Sequence, residues 1–394
     1  MRDYGTPLRE ANRLSWIDAA RGLAILGIFM VNVPAFNAPY FLYGGEDVYW
    51  SEPLDSWVQA IVDIFFQASF YTLFSFLFGF GLQVMKDRLE QKGLTHRLIL
   101  FRRLVVLIGF GMIHAFLIWH GDILLSYGTI GLLLFLFFNR KAKTLLIWAF
   151  GLLTVYTAMF TMLLYSIRDQ LDGWMNYPAI TAAKQNYGDG SLLEIWKQNY
   201  NDWIYANGPE NWPFLIMSLL PMFLLGMYTA RKKWLHQPLE HRKTLSIALV
   251  ISFVLFILLK AGPYAFGNPA WVQVLQDNIG GSASAIFYVV GLTLLSTRKA
   301  GTKLLSPLTH VGRMSLSNYI LQSLISFLLF YSVGFGLYGN VSPLESALIV
   351  IVLFTGQIFL SKWWIAKYRF GPLEWLWRTL TYGKKQPLRR KSET

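Results

Sequence analysis

Between His114 and Tyr127 the chain reads His-Ala-Phe-Leu-Ile-Trp-His-Gly-Asp-Ile-Leu-Leu-Ser-Tyr, its densest group of titratable side chains outside the basic loops. A carboxylate beside an imidazole fixes the ring's tautomer and raises its basicity, which is what a general base requires. His114, His120 and Asp122 are therefore the candidate catalytic residues. On a continuous helix the two histidines would sit about 120° apart, so they do not share a face. Gly121 suits the turn that must intervene. The same residues also fit a capped turn, with Asp122 as N-cap of the following helix and both imidazoles hydrogen-bonded inside the fold. Neither the spacing nor the donor set is diagnostic of a metal site, and no metal is expected.

Three further groups carry polar chemistry. Asp18 and Arg21 share a helix face and can pair, and a guanidinium there can grip a phosphate or neutralise the carboxylate. Asn32 lies eleven residues further along, about 16 Å on a helix, where its amide either orients a substrate carbonyl or bonds a neighbouring helix. Ser315, Asn318 and Gln322 make a polar stripe at i, i+3 and i+7, to which Tyr71, Ser75 and Gln357 can add. Such a stripe lines a cavity or joins helices. Glu374 and Arg378, with Trp375 and Trp377, suit an interfacial anchoring helix.

The elements that hold these groups are long and apolar. Of 394 residues, 54% are hydrophobic and 14% charged, and mean hydropathy is +0.40. Arranged in blocks of about twenty residues, this predicts an all-α integral membrane protein, a single polytopic domain of about ten transmembrane helices. The spans fall at about 15–36, 57–85, 104–119, 123–138, 144–165, 212–230, 245–260, 279–297, 314–333 and 344–367. The first is read as retained, because no A-x-A cleavage site follows it. The polar segment 166–211, with Asp169, Asp172, Asp189, Glu194, Asp202 and Glu210, is expected outside, where its Trp and Tyr content suits short helices lying on the membrane surface. Residues 368–394 form an interfacial helix and basic tail.

Charge placement sets the orientation. The net charge is +13, and all but five of the 35 lysines and arginines lie in the two tails, alternate loops and the inner end of the last span. Arg2, Arg9 and Arg13 start that series and Lys391 ends it. Positive loops stay inside, so both termini are expected in the cytoplasm and the His114–Asp122 block near the outer face. The membrane is a cytoplasmic-type (plasma) membrane, since outer-membrane proteins span as barrels. The cations are explained by topology, so no nucleic acid is expected. Membrane lipids and a small-molecule or glycan acceptor are the expected partners, with a homodimer left open. Absence of cysteine removes disulfides, thiolate nucleophiles and Cys-based metal sites.

Read together, several blocks resemble the YeiB-type family of bacterial membrane proteins. They are Asp18-x-x-Arg-Gly-x-Ala-Ile-Leu-Gly27 with Val31-Asn32, Leu73-Phe-Ser-Phe-Leu-Phe-Gly-Phe-Gly81, and Gly111-x-x-His114 with Gly121-Asp-Ile-Leu-x-x-Tyr-Gly128. Pro221-Met-Phe-Leu-Leu-Gly226, Gly312-Arg-Met-Ser-Leu-x-Asn-Tyr-x-x-Gln-Ser323 and Gly371-Pro-Leu-Glu-Trp-Leu-Trp-Arg378 complete the set. That family is similar to a superfamily of transmembrane acyltransferases that includes heparan-glucosaminide acetyltransferase. The resemblance implies acetyl-CoA or another acyl-CoA bound as substrate from the cytosol, with Asp18, Arg21 and Asn32 on the donor. The acyl group would pass to a sugar hydroxyl or amine outside. Those relatives carry a catalytic histidine soon after the first span, whereas the first histidine here is His96, so His114 or His120 must act instead. A transporter or flippase and a non-catalytic scaffold are the alternatives.

Overall fold

The computed structural model describes residues 14–171 and 173–390; Arg2, Arg9, Arg13, Asp172 and Lys391 lie outside the described residues. About 80% of the chain is helical, with no strand among the described residues. Eight helical segments are long and apolar enough to cross a membrane, and two shorter apolar helices, Leu124–Leu136 and Ser315–Phe330, occupy the fourth and ninth expected spans.

In chain order the main helices are α1 (Ser15–Asn37), α2 (Pro53–Phe65), α3 (Ser69–Gln91), α4 (His96–Leu117), α5 (Leu124–Leu132) and α6 (Ala142–Ser166). Then come α7 (Tyr177–Gly188), α8 (Leu192–Asn207), α9 (Trp212–Lys232), α10 (Arg242–Phe256) and α11 (Gly281–Leu295). The last four are α12 (Lys299–Gly312), α13 (Ser315–Phe330), α14 (Pro343–Lys367) and α15 (Pro372–Tyr382).

α1 is the central post, touching α3, α11, α12, α13 and α14. Small residues allow its closest approach: a Cβ on Gly22 would collide with the Leu308 carbonyl of α12, and one on Gly312 with the Asp18 carbonyl of α1. In lipid, where hydrophobicity does not drive helices together, such backbone proximity is a main source of packing energy. α3 and α9 repeat the device, with Gly79 against the Phe223 carbonyl and Gly226 against the Phe76 carbonyl.

The structure departs from the expected spans in one place. The run 57–85, expected as one span, is two helices separated at Phe66–Ala68, where Ala68 takes a left-handed φ of 59°. The apolar stretch here is 39 residues long, well beyond the roughly 20 that cross a bilayer. The backbone N–H groups of Phe66 and Gln67 both reach back to the Val62 carbonyl at 2.8 Å, which keeps the break hydrogen-bonded. The segment 166–211, expected to hold short helices, is largely helical. Its helices α7 and α8 bury Ala183, Tyr187, Ile195 and Asn199 completely. Tyr187 and Ile195 join Phe29, Phe36 and Trp119 in a second hydrophobic core, separate from the main one. The segment is thus a lid packed on the bundle end.

α15 anchors at the basic end. Trp377 donates its indole N–H to the Arg103 carbonyl at 2.9 Å, and the Arg103 guanidinium stacks 3.6 Å from its ring centroid. The Glu374 carboxylate turns to the N-terminus of α13, accepting from Leu316 N at 2.7 Å and Ser317 N at 3.1 Å.

Candidate functional site

α4 ends at Leu117, and the Ile118–Ile123 turn delivers two imidazoles to different surroundings. His114, in the last turn of α4, has no solvent exposure. Its Nδ1 is 2.8 Å from Asp122 Oδ1 and its Nε2 is 2.8 Å from Ser323 Oγ on α13. Asp122 Oδ2 accepts the Leu125 backbone N–H at 2.6 Å, so one carboxylate both orients the imidazole and satisfies the first turn of α5. The Tyr319 ring lies 4.9 Å from the imidazole. Every polar atom of this Ser-His-Asp set is engaged within the bundle.

His120 lies in the wall of a cavity of about 390 Å³ between the lid and the bundle. Asn32 and Ala35 of α1, Gln67 and Ala68 at the α2–α3 break, Tyr71 of α3, Asp122 and Tyr319 also face it. Its remaining lining is mainly apolar: Ile28, Phe66, Leu215 and Leu219 among others. Asp202, from α8 of the lid, is the carboxylate beside His120, with Oδ2 3.6 Å from Nδ1. Tyr187 Oη is 3.3 Å from the same nitrogen and 2.7 Å from Asp202 Oδ2. Asp202 Oδ1 accepts from Tyr43 Oη and Gln198 Nε2, each at 2.6 Å. A carboxylate with this many donors is fixed in place, and it in turn fixes the imidazole.

Burial holds the His120 pKa below the ordinary imidazole value, while the Asp202 charge pulls it upward. The ring is neutral near pH 7. With Nδ1 turned to Asp202 and Tyr187, the Nε2 edge has no intramolecular hydrogen bond among the described residues. An unengaged imidazole nitrogen of this kind is what general-base chemistry requires. Burial raises Tyr187 well above the usual phenol range, so it acts as a neutral hydrogen-bonding group.

The other sequence candidates are distributed as follows. Asn32 and Tyr71 face the cavity. Ser75 lies behind it, its hydroxyl 2.9 Å from Tyr127 Oη. Asn318 and Gln322 join α13 to α14: Asn318 Nδ2 donates to Ser361 Oγ at 3.0 Å and Gln322 Nε2 to Gln357 Oε1 at 2.8 Å. Ser315 begins α13 at the basic end, away from the cavity. Asp18 and Arg21 are at the other end of α1 from Asn32, with Arg21 Nη1 3.7 Å from Asp18 Oδ1. There Arg21 and Arg378 are within electrostatic reach of Arg103. Among the described residues no group of three or more His, Asp or Glu could hold a metal ion.

Asp202, Tyr187 and Ser323 are additions from the structure. Asp202 had one sequence signal: Ile195, Gln198, Asn199 and Asp202 follow helical spacing, and all four are buried on one face of α8.

The fold and the cavity together define a multi-pass helical membrane protein with a covered, largely apolar cavity at one end. A family model described as "Protein of unknown function (DUF418)" matches residues 229–384. The chain is 36% identical to the uncharacterised protein YxaH of Bacillus subtilis, covering 98% of each chain. It is 30% identical to the uncharacterised protein YeiB of Escherichia coli, over 93% of this chain and 95% of that one. An uncharacterised 39.9 kDa protein of Bacillus acidopullulyticus is 27% identical over 98% of this chain and 99% of its own length. No solved structure matches. The chain belongs to the YeiB-type DUF418 family.

Proposed function

We propose that this protein is a membrane-embedded acyltransferase that takes an acyl group from cytosolic acyl-CoA and passes it to a hydroxyl or amine acceptor on the outer side of the plasma membrane. The observation that carries the reading is the neutral His120, backed by Asp202 and Tyr187, at the wall of a largely apolar cavity. In the reaction, His120 Nε2 removes the acceptor's proton as its oxygen or nitrogen attacks the thioester carbonyl. The carbon–sulfur bond breaks, and the proton passes to the departing thiolate, giving acylated acceptor and free CoA. The Asn32 amide, in the same wall, would donate to the carbonyl oxygen as it becomes an oxyanion. Arg21, Arg103 and Arg378 at the basic end suit the donor's phosphates. α1 links the two ends, with eleven residues, about 16 Å, between Arg21 and Asn32.

The test is acetyl-CoA binding to the purified protein by calorimetry, followed by release of CoA in the presence of candidate acceptors. The chain has no cysteine, so a thiol reagent reads released CoA without protein background. Micromolar binding that disappears in Arg21→Ala is the expected result. Folded protein that binds neither acetyl-CoA nor longer acyl-CoAs would overturn the proposal.

A second reading, transport of a small amphipathic molecule, is favoured by one observation. The helix break at Phe66–Ala68 lies at the cavity wall, and discontinuous membrane helices are a recurring feature of transporter binding sites. Substrate flux in proteoliposomes without CoA would select it.

A further inference from the structure

The walls of the His120 cavity divide by chemistry. Its charged side chains, Asp122 and Asp202, come with His120 from the turn 118–123 and from α8 of the lid. The stretches of wall from α1, α3 and α9 carry no charged side chain, and they contribute Ile28, Val31, Ala35, Phe70, Leu215 and Leu219. One face of α1 runs along the cavity, with Ile28, Val31, Asn32 and Ala35 at i, i+3, i+4 and i+7. Seven residues of helix rise about 10 Å. A wall of that length is far longer than an acetyl group, which has a single methyl beyond its carbonyl.

We infer that the acyl group this site takes is an alkyl chain of about eight to twelve carbons and not acetyl, an inference that rests on the acyltransferase reading. The chain lies along the apolar walls, and its thioester carbonyl lies beside His120 and Asn32.

Volume sets the length. An apolar protein cavity of about 150 Å³ takes one benzene molecule. At about 390 Å³, this cavity has room for roughly fifteen carbons by the same measure. The thioester and the acceptor's attacking group take part of that room, which leaves roughly eight to twelve carbons for the chain. Chemistry agrees with volume. Each methylene laid against these walls removes apolar surface from water, which favours binding. An acetyl group would use one methyl's worth of the wall.

Two positions set the limits of the chain. Ala35 presents only a methyl to the cavity, so a larger side chain there shortens the room. Leu215, half-buried in the α9 wall, occupies room that a smaller side chain would release.

The experiment is calorimetry on the full chain in lipid nanodiscs, with the heat of binding to empty nanodiscs subtracted. The probes are acetyl-, butanoyl-, hexanoyl-, octanoyl-, decanoyl- and dodecanoyl-CoA. Octanoyl- or decanoyl-CoA is expected to bind about tenfold or more tightly than acetyl-CoA. Ala35→Phe should move the best length to a shorter chain and Leu215→Ala to a longer one, so that either variant decides if the other does not fold. Arg21→Ala should weaken every length alike and leave the best length where it is. Acetyl-CoA bound as tightly as decanoyl-CoA, or a best length that neither cavity substitution moves, would overturn the inference and leave the acyltransferase reading standing. If n-decanol binds and is weakened by Ala35→Phe while the acyl-CoAs show no preference for length, the chain belongs to the acceptor and the inference is likewise overturned. Folded protein that binds no acyl-CoA would overturn the inference and the reading together.

Discussion

His114 and His120 leave the same helix end, and each meets a carboxylate and a hydroxyl, but their circumstances differ. His114 is saturated: Asp122 holds one nitrogen, Ser323 the other, and no edge of the ring reaches the cavity. His120 has one nitrogen turned to Asp202 and Tyr187 and lies in the cavity wall. The carboxylate two positions after His120 serves the inner ring, and the outer ring takes its carboxylate from the lid. A Ser-His-Asp set with full internal hydrogen bonding and a histidine shut off from the cavity fits a joint between α4, α5 and α13. A half-satisfied imidazole at a cavity is what the proposed base requires. Composition is the same in both; the free nitrogen makes the difference.

Substitutions at the two sites should therefore fail in different ways. His120→Gln keeps the polarity and removes the base. Acyl transfer, measured as CoA release, should fall by roughly 10²–10⁴-fold, with the unfolding midpoint little changed. A large loss of midpoint with activity retained in the surviving fold would reverse the two roles. Asp122→Ala should do the opposite, leaving His114 Nδ1 and the Leu125 N–H buried and unpaired. A cost of roughly 2–4 kcal/mol is expected, seen as a lower midpoint and reduced yield of monodisperse protein. If Asp122→Ala melts like the unaltered chain, the inner set is not a structural joint. Tyr187→Phe sharpens the contrast on a smaller scale. It removes one hydroxyl that steadies Asp202 and His120, and a loss of about tenfold or less in CoA release is expected.

Much of the bundle was legible in the sequence because a bilayer demands long apolar runs. Ser15–Asn37, Ala142–Ser166 and Pro343–Lys367 are helices long and apolar enough to cross a membrane. The break at Ala68 was not legible, since neither Gly nor Pro marks it and an averaged hydropathy window ignores a single left-handed residue. The segment 166–211 was legible as polar with short helices, but not which of its side chains, Tyr187 and Asn199 among them, are buried. At the site, the turn His120-Gly-Asp122 was visible, but which imidazole takes which carboxylate is decided in three dimensions. Asp202 and Ser323 reach the histidines from remote parts of the chain, through packing that local spacing does not encode. The i, i+3, i+7 stripe of α13 was noticed in the sequence and the equivalent stripe of α8 was not, although both are buried polar faces.

The smallest expected effect is on pH dependence, and it separates the two histidines most cleanly. Burial lowers the folded-state pKa of His120 below its ordinary value of 6.5, against the opposing pull of Asp202. Between the two values the unfolded chain binds the proton and the folded chain does not. Stability should therefore be present above about pH 6.5 and fall as the pH drops through that region. Catalysis follows the folded value alone, because the base works only when neutral. The acidic limb of the CoA-release profile should lie below pH 6.5, where a free imidazole is already mostly protonated. Asp202→Asn removes the charge that favours the imidazolium, so its limb should move to still lower pH while the overall rate declines. A limb that stays put in Asp202→Asn, or moves only in Asp122→Asn, would mean that the inner histidine is the reagent after all. The assignment of roles rests on which nitrogen is free, and this is the measurement that reads that nitrogen directly.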